Sequence, residues 1–303
     1  MSTAILAEQL HVRYKAKNGK WVEAVQGLTF NVEAGEVVGF LGPNGAGKSS
    51  TLKALMGFVE PSGGNCQIFG EPAGSLASRA RIGYLPEVAL YYPFLTPRET
   101  LTLYGELQGL HGKALKTEAE TLLEVVGLKD AMNKRNRSLS KGMLQRVGIA
   151  QSLLGNPELL ILDEVTSGLD PVGRKELRHI LKDRQQAGCT LFFSSHELSE
   201  VEMLCDRIVL INNGKFVEER QISDLKQELR QFSVRYKGEV SLFDLTDHWQ
   251  QVGENIYEAV FTSKEQLLVA LDRVHDEKAK LLDVVAQEGS LEDYFVEAIA
   301  RAA

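Results

Sequence analysis

The sequence predicts an α/β fold: a parallel sheet between helices, preceded by an antiparallel β subdomain, interrupted by a helical subdomain and followed by a small α+β domain. Three observations predict it. Short, continuously apolar runs such as VVGFL and LLIL alternate with helical patterns, as strands covered on both faces do. Ahead of them, apolar and polar residues alternate around an Asn-Gly turn, the mark of half-buried antiparallel strands. At 303 residues and 44% hydrophobic, the chain is long enough for two domains, and its pattern changes near residue 221. The boundaries read 1–220 for the larger domain, with the helical subdomain at about 86–137, and 221–303 for the smaller.

In chain order, Leu10, Val12 and Tyr14 alternate as a strand, Asn18-Gly19 turns the chain, residues 21–25 return, and Leu28, Phe30 and Val32 alternate again. Residues 37–41 are a buried strand, and a helix follows Lys48. Pro61-Ser62-Gly63-Gly64 is a turn, and residues 82–85 form a strand. Thr96-Pro97-Arg98-Glu99 combines an N-cap, a first-turn proline and a capping-box glutamate, opening a mostly helical insert that runs to about Arg137. Ser140 caps a helix that runs through Leu154 to Asn156-Pro157. Strands follow at 159–162 and 190–193, each leading to a helix, the first capped by Asp170-Pro171 and the second opened by Ser194-Ser195-His196-Glu197. Residues 208–211 and 215–217 flank a hairpin at Asn212-Asn213-Gly214. In the tail, Phe232, Val234 and Tyr236 alternate as a strand, Ser263 caps a helix and residues 281–286 are strand-like. Behind Ser290, the stripe Leu291, Tyr294, Phe295, Ala298 and Ile299 reads as the core face of a last helix.

No apolar run approaches the roughly 18 to 20 residues that cross a bilayer. The first residues lack a basic segment and carry Glu8 where a signal peptide stays apolar, so the expectation is a cytoplasmic protein. Cys66, Cys189 and Cys205 are odd in number, with no C-x-x-C spacing, which indicates neither a disulfide framework nor a zinc site. The formal net charge is −7, and residues 231–303 hold 7 Lys+Arg against 14 Asp+Glu. An acidic tail on a balanced body argues against a nucleic-acid partner, and the basic run at 134–137 (KRNR) reads as a solvated face.

Residues 42–49, GPNGAGKS, fit G-x-x-x-x-G-K-[ST] between a strand and a helix, the context that gives the pattern meaning. Three glycines in six positions let backbone N–H groups curl round phosphates, and the helix start adds its dipole. Lys48 would reach the β- and γ-phosphates and the Ser49 hydroxyl would ligate Mg²⁺. The loop alone leaves a kinase, a GTPase and a motor ATPase open. LLILDEV adds two carboxylates at a strand's carboxyl end, Asp163 for the Mg²⁺ shell and Glu164 to polarise water. At LSKGMLQR, Ser140 and Gly142 open a helix and offer a second anion site. His196 follows another strand end, beside the expected phosphates.

In this order, GPNGAGKSS, YLPE, LSKGM, LLILDEVTSGLDP and SSHE resemble the ATP-binding cassette (ABC) ATPases over roughly residues 10–219. The resemblance implies a P-loop NTPase core of the ABC type using ATP and Mg²⁺. It implies that Gly42, Pro43, Asn44, Gly45, Ala46, Gly47, Lys48, Ser49 and Ser50 bind phosphate, and that Tyr14 stacks on adenine with Trp21 as competitor. It also implies that Glu87 senses Mg²⁺ and the membrane partner, Asp170 communicates across a dimer, and His196 contacts the γ-phosphate. Ser140, Lys141, Gly142 and Met143 would serve the nucleotide of a second copy or a related ATPase subunit, met head to tail. The sequence departs from the usual LSGGQ at Lys141 and Met143, from a common glutamine at Glu87 and from a common threonine at Ser50.

With no membrane segment, the chain resembles the motor of a transporter whose channel is a separate integral-membrane subunit, which places it peripherally on the cytoplasmic face of the inner (plasma) membrane. YLPE, LSKGM and the tail SLEDYFVEAIARA resemble the group that powers exporters of drugs, ions, lipids or polysaccharides. The rivals are a non-transport ABC ATPase of DNA repair or translation and a nucleotide kinase. The first kind would show long heptads before the signature, or a second cassette; the kinase would need no signature.

Overall fold

A strand with apolar residues on both faces is stable only inside a sheet covered on both sides, and the runs identified in the sequence assemble such a sheet. In the computed structural model, which describes residues 2–195, 198–246 and 248–302, the sheet holds β3 (Val37–Leu41), β6 (Ile82–Leu85), β7 (Leu159–Asp163), β8 (Thr190–Ser194), β9 (Arg207–Asn212) and β10 (Lys215–Gln221). Their order is β10-β9-β3-β8-β7-β6. The β9-β3, β3-β8, β8-β7 and β7-β6 pairs are all parallel. Every residue of β3, β7, β8 and β9 is buried. Parallel pairing brings the carboxyl ends of β3, β7 and β8 to one edge, where ligands of open α/β sheets bind.

A second sheet, β2-β1-β4-β5, is antiparallel and comprises β1 (Thr3–Lys15), β2 (Trp21–Glu33), β4 (Gly63–Ile68) and β5 (Glu71–Pro72). The Asn18-Gly19 turn is present, with Gly19 N–H donating to the Ala16 carbonyl at 2.9 Å. The sequence suggests two alternating stretches after this turn, whereas β2 is one strand that β1 follows along its length, register shifts near Leu10 absorbing the irregularity. Likewise β4 begins inside the stretch read as a turn. Only Cys66 and Ile68 of that strand are buried, too few to show a period. The two sheets meet on a cluster of aromatic rings, Phe30, Phe40 and Phe192, whose centroids lie 5.2 to 5.6 Å apart.

Around the sheets lie α1 (Lys48–Leu55), the short α2 (Leu76–Arg79), α3 (Pro97–Leu107), α4 (Gly112–Val125), α5 (Lys141–Ser152), α6 (Pro171–Gln186) and α7 (Leu198–Leu204). Both bonds of the Thr96 capping box form, 3.2 Å from Glu99 N to Thr96 Oγ1 and 2.8 Å from Thr96 N to Glu99 Oε2. α3 and α4 pack on each other and on α5. Among the described residues no helix is long and apolar enough to cross a membrane.

The chain divides into two compact units between Glu219 and Arg220. The second unit contains α8 (Ile222–Glu228), β11 (Arg230–Lys237), β12 (His248–Gly253), β13 (Ile256–Phe261), α9 (Lys264–Asp276), β14 (Lys280–Glu288) and α10 (Leu291–Arg301). Its antiparallel sheet runs β12-β13-β11-β14, over a core that includes Phe232, Val234, Tyr236, Phe261 and Val274. The sequence reading names neither β12 nor β13. β12 is a sheet edge with no buried residue, so it lacks the alternation that marks a half-buried strand. All three cysteines are free and buried.

Phe40→Ala, which opens the aromatic cluster, is expected to destabilise the protein by about 3–5 kcal/mol. Chemical denaturation of the two forms measures this.

Candidate active site

After Leu41 the chain leaves β3 in a loop with no room for a side chain at two of its glycines, Gly42 and Gly47. A Cβ at Gly42 would stand 2.4 Å from the Ile211 carbonyl oxygen. At Gly47, whose φ is +105°, a Cβ would stand 2.4 Å from the Ala24 oxygen. The loop is stapled on the β10 side by Gly214 N donating to Ala46 O at 2.9 Å, and Gln26 N donates to Gly214 O at 2.8 Å. The antiparallel sheet and the β9-β10 hairpin thus grip the backbone directly. The first N–H groups of α1, which have no acceptor within a helix, are left at the loop's end. Lys48 is buried and folds back, its Nζ donating to the carbonyls of Gly42 at 2.6 Å and Pro43 at 3.3 Å.

This loop forms one wall of a cleft of about 440 Å³, lined by residues 43–50, Ala24, Glu87, Glu164 and Ser167. The two carboxylates ending β7 diverge. Asp163 is buried and accepts the Ser194 hydroxyl at 2.5 Å. Burial pushes the Tyr84 phenol up to about 12, and the charge of Asp163 adds to the shift. Glu164 turns out of the strand at φ +50°, its N–H donating to both the carbonyl and the hydroxyl of Ser194, each at 3.2 Å, and it lines the cleft. Ser194, at the end of β8, therefore braces both acids, a role that a serine after an apolar run does not announce in sequence.

The expected signature lies apart from this cleft. Ser140 caps α5, accepting Met143 N–H at 3.2 Å, and none of Ser140, Lys141, Gly142 and Met143 is among the lining residues. Gly142 packs on the Gly168 turn, where its Cβ would meet the Gly168 oxygen at 2.9 Å. Lys141 lays its methylenes over Gly168, with Nζ 3.5 Å from Ser167 Oγ. Asp170 caps α6, accepting Gly173 N–H at 2.8 Å. Tyr14 and Trp21 sit near the end of the β1-β2 hairpin, both exposed and neither lining the cleft, and the Arg13 guanidinium covers the Trp21 ring at 4.7 Å. His196 lies outside the described residues. Among the described residues no group of three or more His, Cys, Asp or Glu could hold a metal by itself.

A glycine loop with an inward lysine at a helix start, facing a glutamate that follows a buried strand-end aspartate, defines a phosphate-loop nucleoside triphosphatase. Residues 25–167 match the family described as ABC transporter. The bacitracin transport ATP-binding protein BcrA of Bacillus licheniformis is 37% identical over 310 residues, covering 99% of this chain and 98% of its own. A Nod factor export ATP-binding protein of Burkholderia lata is 39% identical over 197 residues, covering 64% and 65%. The structure of cbiO1 from Clostridium perfringens, part of the ABC transporter complex cbiONQ, matches with a TM-score of 0.63 and 26% identity over 74% of this chain and 91% of its own. The chain belongs to the ABC transporter ATP-binding proteins; it binds and hydrolyses ATP as the motor subunit of a transporter.

Gly47→Ala forces a side chain against the Ala24 carbonyl at a left-handed φ. It is expected to destabilise the protein by about 1–3 kcal/mol and to weaken ATP binding, as fluorescent-nucleotide titration beside chemical denaturation measures.

Proposed function

We propose that this chain drives an exporter by ATP-dependent pairing with a second copy or a related ATPase subunit, each contributing its α5 start to the nucleotide held by the other's glycine loop. One observation carries the reading. A single chain presents two anion-ready helix starts, α1 beside Lys48 and α5 capped by Ser140, and only the first lines the cleft. The second needs a phosphate from elsewhere, and head-to-tail pairing supplies one. The match to a Nod factor export protein and to the bacitracin transport protein supports export, with YLPE and LSKGM as the local resemblance.

In this reading residues 42–50 hold the phosphates, Lys48 neutralises charge on the β- and γ-groups and Tyr14 stacks on adenine. Ser49, Asp163 and Glu87 offer the hard oxygens that would suit Mg²⁺. Bound there, the ion screens phosphate charge. Glu164 polarises the water that attacks the γ-phosphorus, and His196 contacts that phosphate. Ser140, Lys141, Gly142 and Met143 close over the opposing nucleotide, and Asp170 links the two copies. Hydrolysis removes the shared γ-phosphate, and the pair opens.

The membrane partner docks on the helical insert. Val88, Leu90, Tyr92 and Phe94, directly after Glu87, are each more than half exposed, an apolar strip beside the cleft wall. A cytoplasmic segment of a separate integral-membrane subunit fits it, which holds the motor at the cytoplasmic face of the inner membrane. Repair-type ABC ATPases are disfavoured, because the insert's helices, at 11 and 14 residues, form no long coiled coil.

Glu164→Gln is expected to abolish turnover and to accumulate an ATP-bound dimer, read by phosphate release and by sedimentation in Mg·ATP. Turnover at the parental rate overturns the assignment of Glu164. Lys48→Ala is expected to lower ATP affinity in equilibrium titration. Co-purification in mild detergent should recover an integral-membrane protein; recovery of ribosomes or DNA in its place counts against the transport reading.

A further inference from the structure

Glu164, proposed above to polarise the attacking water, sits in a backbone conformation uncommon for a glutamate. Glu164 has φ +50°, in the left-handed region that L side chains occupy only when their surroundings impose it. On one side Ser194 imposes it, through the two bonds to the Glu164 N–H. On the other side the constraint falls one residue later. The Gln145 amide Nε2 donates to the Val165 carbonyl at 2.9 Å, and both residues are buried, at 6% and 1% exposure. Gln145 comes from α5, five residues beyond Ser140.

We propose that Gln145 is a positioning residue for hydrolysis, resting on the reading of Glu164 as the group that polarises water. By holding the Val165 carbonyl it fixes the turn that aims Glu164 into the cleft. It does so from the helix whose first turn serves the opposing nucleotide. When that nucleotide engages Ser140, any movement of α5 therefore reaches the chain's own Glu164 through one buried bond. The two cleavage sites of a pair are thereby connected within each chain as well as across the contact between chains. A buried carbonyl in a low-dielectric interior makes this bond costly to lose, so the turn follows the amide.

The test is Gln145→Met in the full-length protein, a change that keeps length and removes the donor. The expected result is a kcat lower by about 10- to 100-fold, as for a modest misplacement of a reacting group. KM for ATP should stay within about twofold, because the phosphate loop is untouched. The ATP-bound dimer should persist about tenfold longer in sedimentation or light scattering, by the lower end of the same estimate; a merely weakened fold would shorten its life. A parental kcat, or a rise in KM with kcat unchanged, overturns the proposal. Should Gln145→Met fail to fold, Gln145→Asn keeps the amide but draws it back by one methylene. It is expected to lower kcat with KM unchanged, and parental turnover again overturns the proposal. Glu164→Gln measured alongside separates the two readings. If that variant turns over normally, the base assignment fails; if it is dead while Gln145→Met is fully active, only the positioning role fails.

Discussion

The glycine-loop cleft depends on two backbone contacts that no side chain could survive, Gly42 on the Ile211 carbonyl and Gly47 on the Ala24 carbonyl. They press the loop between β2 of the antiparallel sheet and the β9-β10 hairpin, so the start of α1 is fixed by main chain on both sides. The rest of the first unit follows from holding that point still. The parallel pairing of β3 with β8, and of β8 with β7, sets Ser194 and Asp163 at the same edge as the loop. The Ser194 hydroxyl then braces both acids, donating to the buried Asp163 carboxylate and accepting the backbone N–H of Glu164, which lines the cleft. The antiparallel sheet is thus more than a cover for the core, because Ala24 is part of the phosphate loop's seat.

Much of this was legible in the sequence because it is written in local signals. Buried strands such as β3 and β7 are continuous apolar runs, and the Asn18-Gly19 turn and the Thr96 capping box are short-range chemistry that needs no tertiary context. The glycine loop was readable for the same reason, its residues being adjacent. What escaped depends on contacts between distant stretches. Gln145 reaches a carbonyl 20 positions away and Ser194 a carboxylate 31 positions away, and neither residue type in those places carries a pattern. β4 and β12 escaped because they bury few residues or none, so the period of two was too faint to see. The sequence singles out Ser140, Lys141, Gly142 and Met143 as an expected signature, yet that none of them lines the chain's own cleft became visible only in three dimensions.

The departure at Lys141 has a physical setting in the single chain. A cation at the first turn of α5 opposes the helix dipole, an effect of about 0.3–1 kcal/mol at an exposed site. Its stem lies flat on Gly168 and its ammonium approaches Ser167, so apolar packing and a hydroxyl offset part of that penalty. An arriving phosphate would reverse the sign of the electrostatic effect, turning an unfavourable neighbour into a favourable one. The lysine is therefore a small cost to the isolated fold that an anion at the helix start would turn into a gain.

The three thiols carry a practical corollary. Burial pushes Cys66 and Cys189 up to about 11 and Cys205 well above its ordinary value, so almost no thiolate exists near neutrality. Burial and protonation together slow the reaction of all three with alkylating probes while the chain is folded. A single cysteine introduced on the surface would then be the preferred handle for a fluorophore or spin label, and opening and closing could be followed in the otherwise natural protein.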